Sequence, residues 1–413
     1  MATMDAATMQ AAQTAALMMT PQQRKAELEK AMRNATPQER KQMEKQQKEM
    51  QKMWESSSPE ERAQIAAQQQ IARDAGAFCH AMRPDPDDPG KVPSTVDVLN
   101  AITCCTSFEA LHDNIKSQEG DDKKKVIMAF INLERWLLEN AVEADVSGLK
   151  ASKDAGAEKK RALLLLLWIL YRVKAGDAVE LDARMLGYVE GTKRLATKVL
   201  MQAQMMLPQQ RWIKAVLATS RLSALVVNEL WSHDDADCVE RMTESLKQSE
   251  LNYPVLKLRV RTILEEQAAK EELAIQELGK SEAWLDSEAA PASALPKQFV
   301  RMQIELTRLH TSEQPTPGDA VTPDNPQGIL EAYWMYVEGV KPDGEPNVMI
   351  AAQPMVVKDL TTTTLRASVK FEAPPQPDEY TLIAHISSTT VVGCDLSGTA
   401  TFTVQEDDVP PLM

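Results

Sequence analysis

Several common carriers of chemistry are missing from this sequence. Its 413 residues contain no GxxxxGK[ST] phosphate loop, no GxGxxG, no GxSxG and no HExxH. The nucleotide-cradling, hydrolase-elbow and zincin patterns are therefore not available to it. The nearest basic-glycine piece, Gly191-Thr192-Lys193-Arg194, lacks the first glycine and the spacing that would cradle a phosphate. Cysteines number five (Cys79, Cys104, Cys105, Cys238, Cys394), an odd count with no CxxC pair. That pattern fits free thiols in a reducing compartment. Cys79 stands beside His80, but a structural zinc site needs about four ligands and no second Cys/His pair is near. Aromatic residues make up only 5%, so the core must be aliphatic and Met-rich. Long apolar runs are also lacking. The longest, Ala162–Tyr171, is half of the roughly 20 residues a bilayer-spanning helix needs, and Arg161 and Arg172 close it. It reads as a buried helix.

Cations are in deficit, with 46 Lys and Arg against 60 Asp and Glu and a net charge of −14. Such a balance disfavours generic binding to nucleic acid or anionic lipid. The first residues, MATMDAATMQAAQTAALMM, have no basic stretch and include Asp5, so neither a secretory signal nor a transit peptide is expected. The five histidines are scattered. His385 lies on an alternating strand and reads as a surface side chain. His233, in Trp231-Ser232-His233-Asp234-Asp235, sits at a helix end where it can meet terminal carbonyls. No catalytic residue, metal ligand or cofactor-binding residue is assigned.

What the chain does contain is a helical part followed by a β part. Thr20-Pro21-Gln22-Gln23, Thr36-Pro37-Gln38-Glu39 and Ser58-Pro59-Glu60-Glu61 repeat one helix-start logic: a capping hydroxyl, proline at the first helical position, and Gln or Glu at the third. Three polar helices over residues 1–82 follow from this, either an exposed partner-binding or coiled arm or a solvated extension. Residues 83–95 are a Pro/Asp/Gly-rich linker. Residues 96–285 read as a helical domain. Its predicted helices cover Val96–Leu111, Lys125–Val142, Arg161–Val173, Asp182–Glu190, Thr192–Leu207, Gln209–Trp231, Asp237–Ser249 and Pro254–Gly279. The last rests on the helical spacing of Leu256, Val260, Ile263 and Leu264. Residues 286–298 form a second linker.

Beyond Pro296 the apolar period changes to two. Val300, Met302, Ile304 and Leu306 alternate with polar residues, as do Leu365 to Phe371, Tyr380 to Ile386 and Ala400 to Val404. Half-buried antiparallel strands need this alternation. Several such strands between Pro/Gly/Asp turns point to a β-sandwich of immunoglobulin or fibronectin-III type over residues 299–405, with an acidic tail at 406–413. Tyr333, Trp334 and Tyr336 mark an aromatic strand. Tyr380 is placed to make a tyrosine corner. The fold class is thus a multidomain α-then-all-β chain, a helical bundle followed by a sandwich.

Two distant segments resemble the Sec63 domain family. The helical one is ALLLLLWILYRVKAGDAVELDARMLGYVEGTKRLATKVL with KAVLATSRLSALVVNELWSHDD, in which Arg221–Val227 and Leu230-Trp231 match a family helix ending at a Trp and acidic residues. The β one carries Tyr333–Val337, Phe371-Glu372-Ala373-Pro374 and Ser387–Asp395 at positions similar to the family's closing sandwich. Ser388-Thr389-Thr390 stands where the family has Asp-Ser-Tyr. The resemblance covers roughly residues 160 to 404. It implies a non-catalytic interaction protein that binds components of the endoplasmic reticulum protein translocation machinery on the cytosolic side, without a J domain or a membrane span of its own. Arg83-Pro84-Asp85 has Arg where a J motif needs His. Gly393, Asp395, Glu406, Asp407 and Asp408 are the candidate partner-binding residues. Trp231, Tyr333, Trp334, Tyr336 and Tyr380 are read as structural. The resemblance also leaves a scaffold in a ribonucleoprotein or helicase complex open as an alternative, without direct nucleic-acid contact. The expected location is the cytoplasm, with peripheral attachment at the endoplasmic reticulum through partners; the nucleus is the alternative.

Overall fold

The computed structural model describes residues 58–85, 88, 90–141, 157–248, 252–278, 291–310, 319–320, 329–341, 345–357 and 361–406. The helix starts expected at Thr20 and Thr36 lie outside these residues, as do Asp407 and Asp408.

Two compact units divide the chain. The first takes the described residues up to Arg83, with Ser94–Ile169 and Ala175–Gln209. Helix α1 (Pro59–Ala81) begins as its sequence dictates. Ser58 Oγ accepts from the Glu61 N–H at 3.1 Å, and the Ser58 N–H donates to Glu61 Oε2 at 2.7 Å. A reciprocal cap of this kind stabilises a helix start by about 1 kcal/mol. Farther along, the carboxylate of Asp74 is buried. It accepts from Gln70 Nε2 at 3.1 Å, from Thr106 Oγ1 at 3.0 Å and from the Ser107 hydroxyl. Asp74 thereby fixes the start of α3 (Ser107–Lys116), which has no cap from its own N-cap residue. The single helix expected over Val96–Leu111 is thus two, with α2 (Thr95–Ile102) ending before the turn that this aspartate holds.

Helix α4 (Gly120–Asn140) buries Val126, Phe130, Leu133 and Leu137, the stripe its spacing predicts. Trp136 on α4 meets Trp168 edge-on, with ring centres 5.6 Å apart. Trp168 belongs to α5 (Ala157–Ala175), in which every residue from Ala162 to Tyr171 is buried, as an all-round apolar helix requires. Asp182 caps one long helix, α6 (Ala183–Met206), by accepting from the Met185 N–H at 2.8 Å. Two helices with a Thr192 cap were expected here. Thr192 instead lies fully buried mid-helix, and Gly191 is accommodated without a break.

The second unit takes Pro84–Pro93, Leu170–Lys174 and Gln210 onward. Its helices α7 (Ile213–Asn228) and α8 (Ala236–Gln248) therefore group with the strands, although both precede the linker expected at 286–298. Strand β1 (Leu256–Leu264) replaces the predicted start of a helix at Pro254. The physical reason is that Leu256, Val260 and Leu264 are four apart, a spacing common to both periods. Lys257, Arg259 and Arg261 at the odd positions settle it as a strand with one charged face. Helix α9 (Glu265–Leu278) follows. The expected linker at 286–298 contains strand β2 (Ala292–Ala294), which pairs in parallel with the strand Leu396–Val404.

The remaining strands are β3 (Phe299–Arg308), β4 (Asp319–Ala320), β5 (Ile329–Leu330), β6 (Ala332–Gly339), β7 (Val348–Val356), β8 (Thr364–Glu372), β9 (Asp378–Ser388) and β10 (Leu396–Val404). They form a three-stranded antiparallel sheet, β1-β3-β8, and a five-stranded sheet, β2-β10-β9-β6-β7, with β4 and β5 as a separate ribbon. Helices followed by two sheets are thus the observed class. The two larger sheets touch at Phe371 on β8 and Phe402 on β10, whose ring centres lie 5.4 Å apart. Gly398 on β10 lets the sheets approach closely, since a Cβ there would stand 3.2 Å from both Leu258 and Val260 of β1.

Candidate functional site

Several of the residues singled out from the sequence, Tyr336, Gly393 and Asp395 among them, gather where α7 crosses the five-stranded sheet. Strand β6 alternates, so Tyr333, Met335 and Val337 share one face while Trp334, Tyr336 and Glu338 share the other. On the second face Tyr336 is fully buried, and its hydroxyl shares a hydrogen bond of 2.8 Å with Ser220 of α7. Burial pushes the Tyr336 hydroxyl above its usual pKa. Trp334 is half-buried rather than core, stacked on Tyr336 at 5.9 Å between ring centres.

The segment between β9 and β10 joins the same seam. Asp395 accepts from the Ser388 N–H at 3.1 Å and from Ser387 Oγ at 3.3 Å, and pairs with Arg221 of α7 at 3.3 Å. Asn228 Nδ2, near the end of α7, donates to the Thr390 carbonyl at 2.7 Å. Tyr253 Oη donates to the Val392 carbonyl at 2.8 Å. Gly393 has φ of +83°, and a Cβ there would lie 2.8 Å from both Tyr253 Oη and Val239 Cγ2. Only glycine meets both conditions.

His233 closes the network. Its Nδ1 accepts from the Gly393 N–H at 3.3 Å, which puts the ring proton on Nε2, and Nε2 donates to the Arg221 carbonyl at 2.8 Å. That carbonyl is internal to α7, so the expectation of a terminal-carbonyl contact is corrected. Just before it, Glu229 ends α7 in the left-handed conformation, φ of +59°, and its carboxylate is gripped by both arms of Arg172. Trp231 is buried, donates Nε1–H to Asp235 at 2.8 Å and carries Lys174 over its ring at 5.0 Å.

Two further polar clusters were not legible beforehand. His385 is no surface side chain: its Nε2 lies 2.7 Å from Glu338 Oε2, whose partner oxygen accepts from Asn347 Nδ2 at 2.8 Å. At the start of β6, Glu331 accepts from Arg308 Nε at 2.7 Å, His310 Nε2 at 3.0 Å and Tyr333 Oη at 2.8 Å. Burial raises the Glu331 carboxyl, but the His310 and Arg308 bonds outweigh it and hold the pKa down at about 2. Tyr380 makes the expected corner, its hydroxyl donating to the Gln376 carbonyl at 2.9 Å. Glu406 is exposed and follows the end of β10.

Chemically, these groups are engaged with one another. Seam hydroxyls, imidazole and carboxylates hold secondary-structure elements in place. Among the described residues, no group of three or more His, Cys, Asp or Glu is placed to hold a metal, and no helix is long and apolar enough to cross a membrane. The sequence signal that could have exposed the seam is the polar set Ser220, Arg221 and Asn228 on a mostly apolar helix, since buried polar groups demand partners.

No protein-family model matches the chain, and no curated protein does. Among solved structures it is similar to a CARDB domain from Pyrococcus furiosus at 13% identity and a TM-score of 0.19, over 37% of this chain and 96% of that one. It is similar to a β-glucosidase from Listeria innocua at 7% identity and a TM-score of 0.18, over 37% of this chain and 16% of that one. The alkylpurine DNA glycosylase AlkC of Pseudomonas fluorescens, bound to DNA, gives 10% identity and a TM-score of 0.20 over 82% and 87%. Scores this low bear on neither fold nor activity.

Proposed function

We propose that this chain is a non-catalytic interaction protein of Sec63 type that binds components of the endoplasmic reticulum translocation machinery on the cytosolic side. In this reading the two facing sheets are an immunoglobulin/fibronectin-III-like sandwich. One observation carries it. Three of the segments that carry the resemblance, Arg221–Trp231, Tyr333–Val337 and Ser387–Asp395, meet at one seam, through Arg221 with Asp395, Asn228 with Thr390 and Ser220 with Tyr336. Segments that resemble one family only by motif order have no reason to converge in space unless they form one joint.

Such a joint works by shape. Gly393 and Asp395 then serve partner binding by holding the β9–β10 turn in one conformation, and Glu406 leads an acidic tail that a basic partner loop could meet. Subcellular fractionation tests the location. A pool that sediments with microsomes and is released by alkaline carbonate, as a peripheral protein would be, agrees with the proposal. A pool confined to free cytosol contradicts it, and a nuclear pool favours the ribonucleoprotein scaffold instead.

A further inference from the structure

One face of the β1-β3-β8 sheet is out of character for an acidic chain. With the register given, Lys257, Arg259 and Arg261 on β1, Arg301 on β3, and Arg366 and Lys370 on β8 share that face with two carboxylates, Glu305 and Glu372. Six cations against two anions stand out in a chain of net charge −14. The opposite face, with Val260, Val300, Met302 and Ile304, packs inward.

Helix α9 lies on the basic face. Its sequence EEQAAKEELAIQEL has five glutamates and one lysine. Glu265 grips Arg301 with two bonds of 2.8 Å and stands 3.4 Å from Lys370. Glu271 pairs with Arg261 at 2.5 Å, and Glu272 pairs with Arg301. Over Glu265–Glu272, where side chains are described, Ala268 is the buried one. Over these eight described residues the helix is held mainly by charge. Charge pairs with exposed ends are weak and screened by salt. Glu271 and Glu272 have side chains 38% and 55% exposed. Phe299, 47% exposed and under the Lys370 ammonium at 4.5 Å, sits at the rim of the same face.

We propose that α9 is a displaceable acidic cover, and that the face beneath it docks an acidic helical segment of a partner protein. The charge and form of the cover name the occupant: the face already holds a glutamate-rich helix, with Phe299 available to anchor an apolar side chain beside it. Exchange of one acidic helix for another makes binding conditional on α9 lifting. The inference stands whichever compartment the chain serves.

The test uses the full chain and a fluorescent synthetic peptide with the sequence of residues 265–278, followed by anisotropy. Glu271→Gln with Glu272→Gln weakens the cover at its exposed end without emptying the better-buried Glu265 site. The peptide should bind this double variant at least about tenfold more tightly than the parent, and Lys370→Gln or a rise from about 50 to about 500 mM NaCl should reverse the gain. No gain in the double variant overturns the cover. A single-stranded DNA oligonucleotide that binds the variant more tightly than the peptide overturns the acidic-protein assignment. Hydrogen exchange on the parent chain needs no substitution: amides of α9 should exchange faster as salt rises while those of β3 do not, and salt-independent α9 protection overturns the proposal.

Discussion

Ser220 and Tyr336 share a fully buried hydrogen bond of 2.8 Å although 116 residues separate them in the chain. The bond ties α7 to the second face of β6. Removing one partner leaves the other hydroxyl buried and unsatisfied, at about 1–3 kcal/mol, while removing both is much cheaper. Tyr336→Phe and Ser220→Ala should each lower stability by about 1–2 kcal/mol, and the double variant should cost less than their sum. Additive losses in urea titrations would show that the two hydroxyls are not coupled.

Gly393 and Gly120 give a matched pair for the turn. Both have positive φ, +83° and +60°, but a Cβ at Gly120 meets nothing within 4 Å whereas one at Gly393 meets Tyr253 and Val239 at 2.8 Å. Gly120→Ala should cost about 1 kcal/mol, the backbone term alone. Gly393→Ala should cost about 2–4 kcal/mol, because overpacking adds to it. Equal losses in thermal unfolding would mean that the turn does not pack as described.

Acid sensitivity should centre on Glu331. Its folded pKa, about 2, lies below the ordinary 4.5. A depressed carboxylate contributes stability above its unfolded pKa, and that contribution is lost as pH falls from about 4.5 to about 2. The size is on the order of 3 kcal/mol. Glu331→Gln should flatten the stability profile across this window and should destabilise at neutral pH, since the Arg308 side chain is 1% exposed and would lose its counter-ion. An unchanged slope between pH 4.5 and pH 2 in the variant would assign the acid response elsewhere.

How much of this was legible in the sequence depends on whether a pattern is local. The Ser58 capping box, the Val126–Leu137 stripe, the Tyr380 corner and the alternation of β3, β8, β9 and β10 are local, and the structure has them. Strand β1 was misread because four-residue spacing satisfies helix and strand alike. The placement of α7 and α8 with the sheets could not be read, because Ser220–Tyr336 and Asn228–Thr390 are long-range pairs with no sequence period. His385 looked like a surface residue for the same reason, its partner Glu338 being a strand away.

Thiol reactivity separates the five cysteines. Cys104 is exposed, and Cys79, Cys105, Cys238 and Cys394 are buried. Burial raises the Cys79 thiol to about 12 and pushes Cys105, Cys238 and Cys394 up as well. Since the thiolate is the reactive form, the native chain should take up one equivalent of a thiol reagent quickly, at Cys104, and the other four only on unfolding. Rapid uptake of two or more equivalents, mapped by peptide mass, would contradict the burial described.

The most direct test of the central claim is quantitative co-purification of the tagged full chain from microsomes in mild detergent, beside the Gly393→Ala chain. Contact through a shape-fixed seam predicts that subunits of the protein-conducting channel are enriched with the parent and depleted with the variant. Channel subunits no more abundant than in an untagged control, with the chain recovered alone or with nuclear ribonucleoproteins, would contradict it.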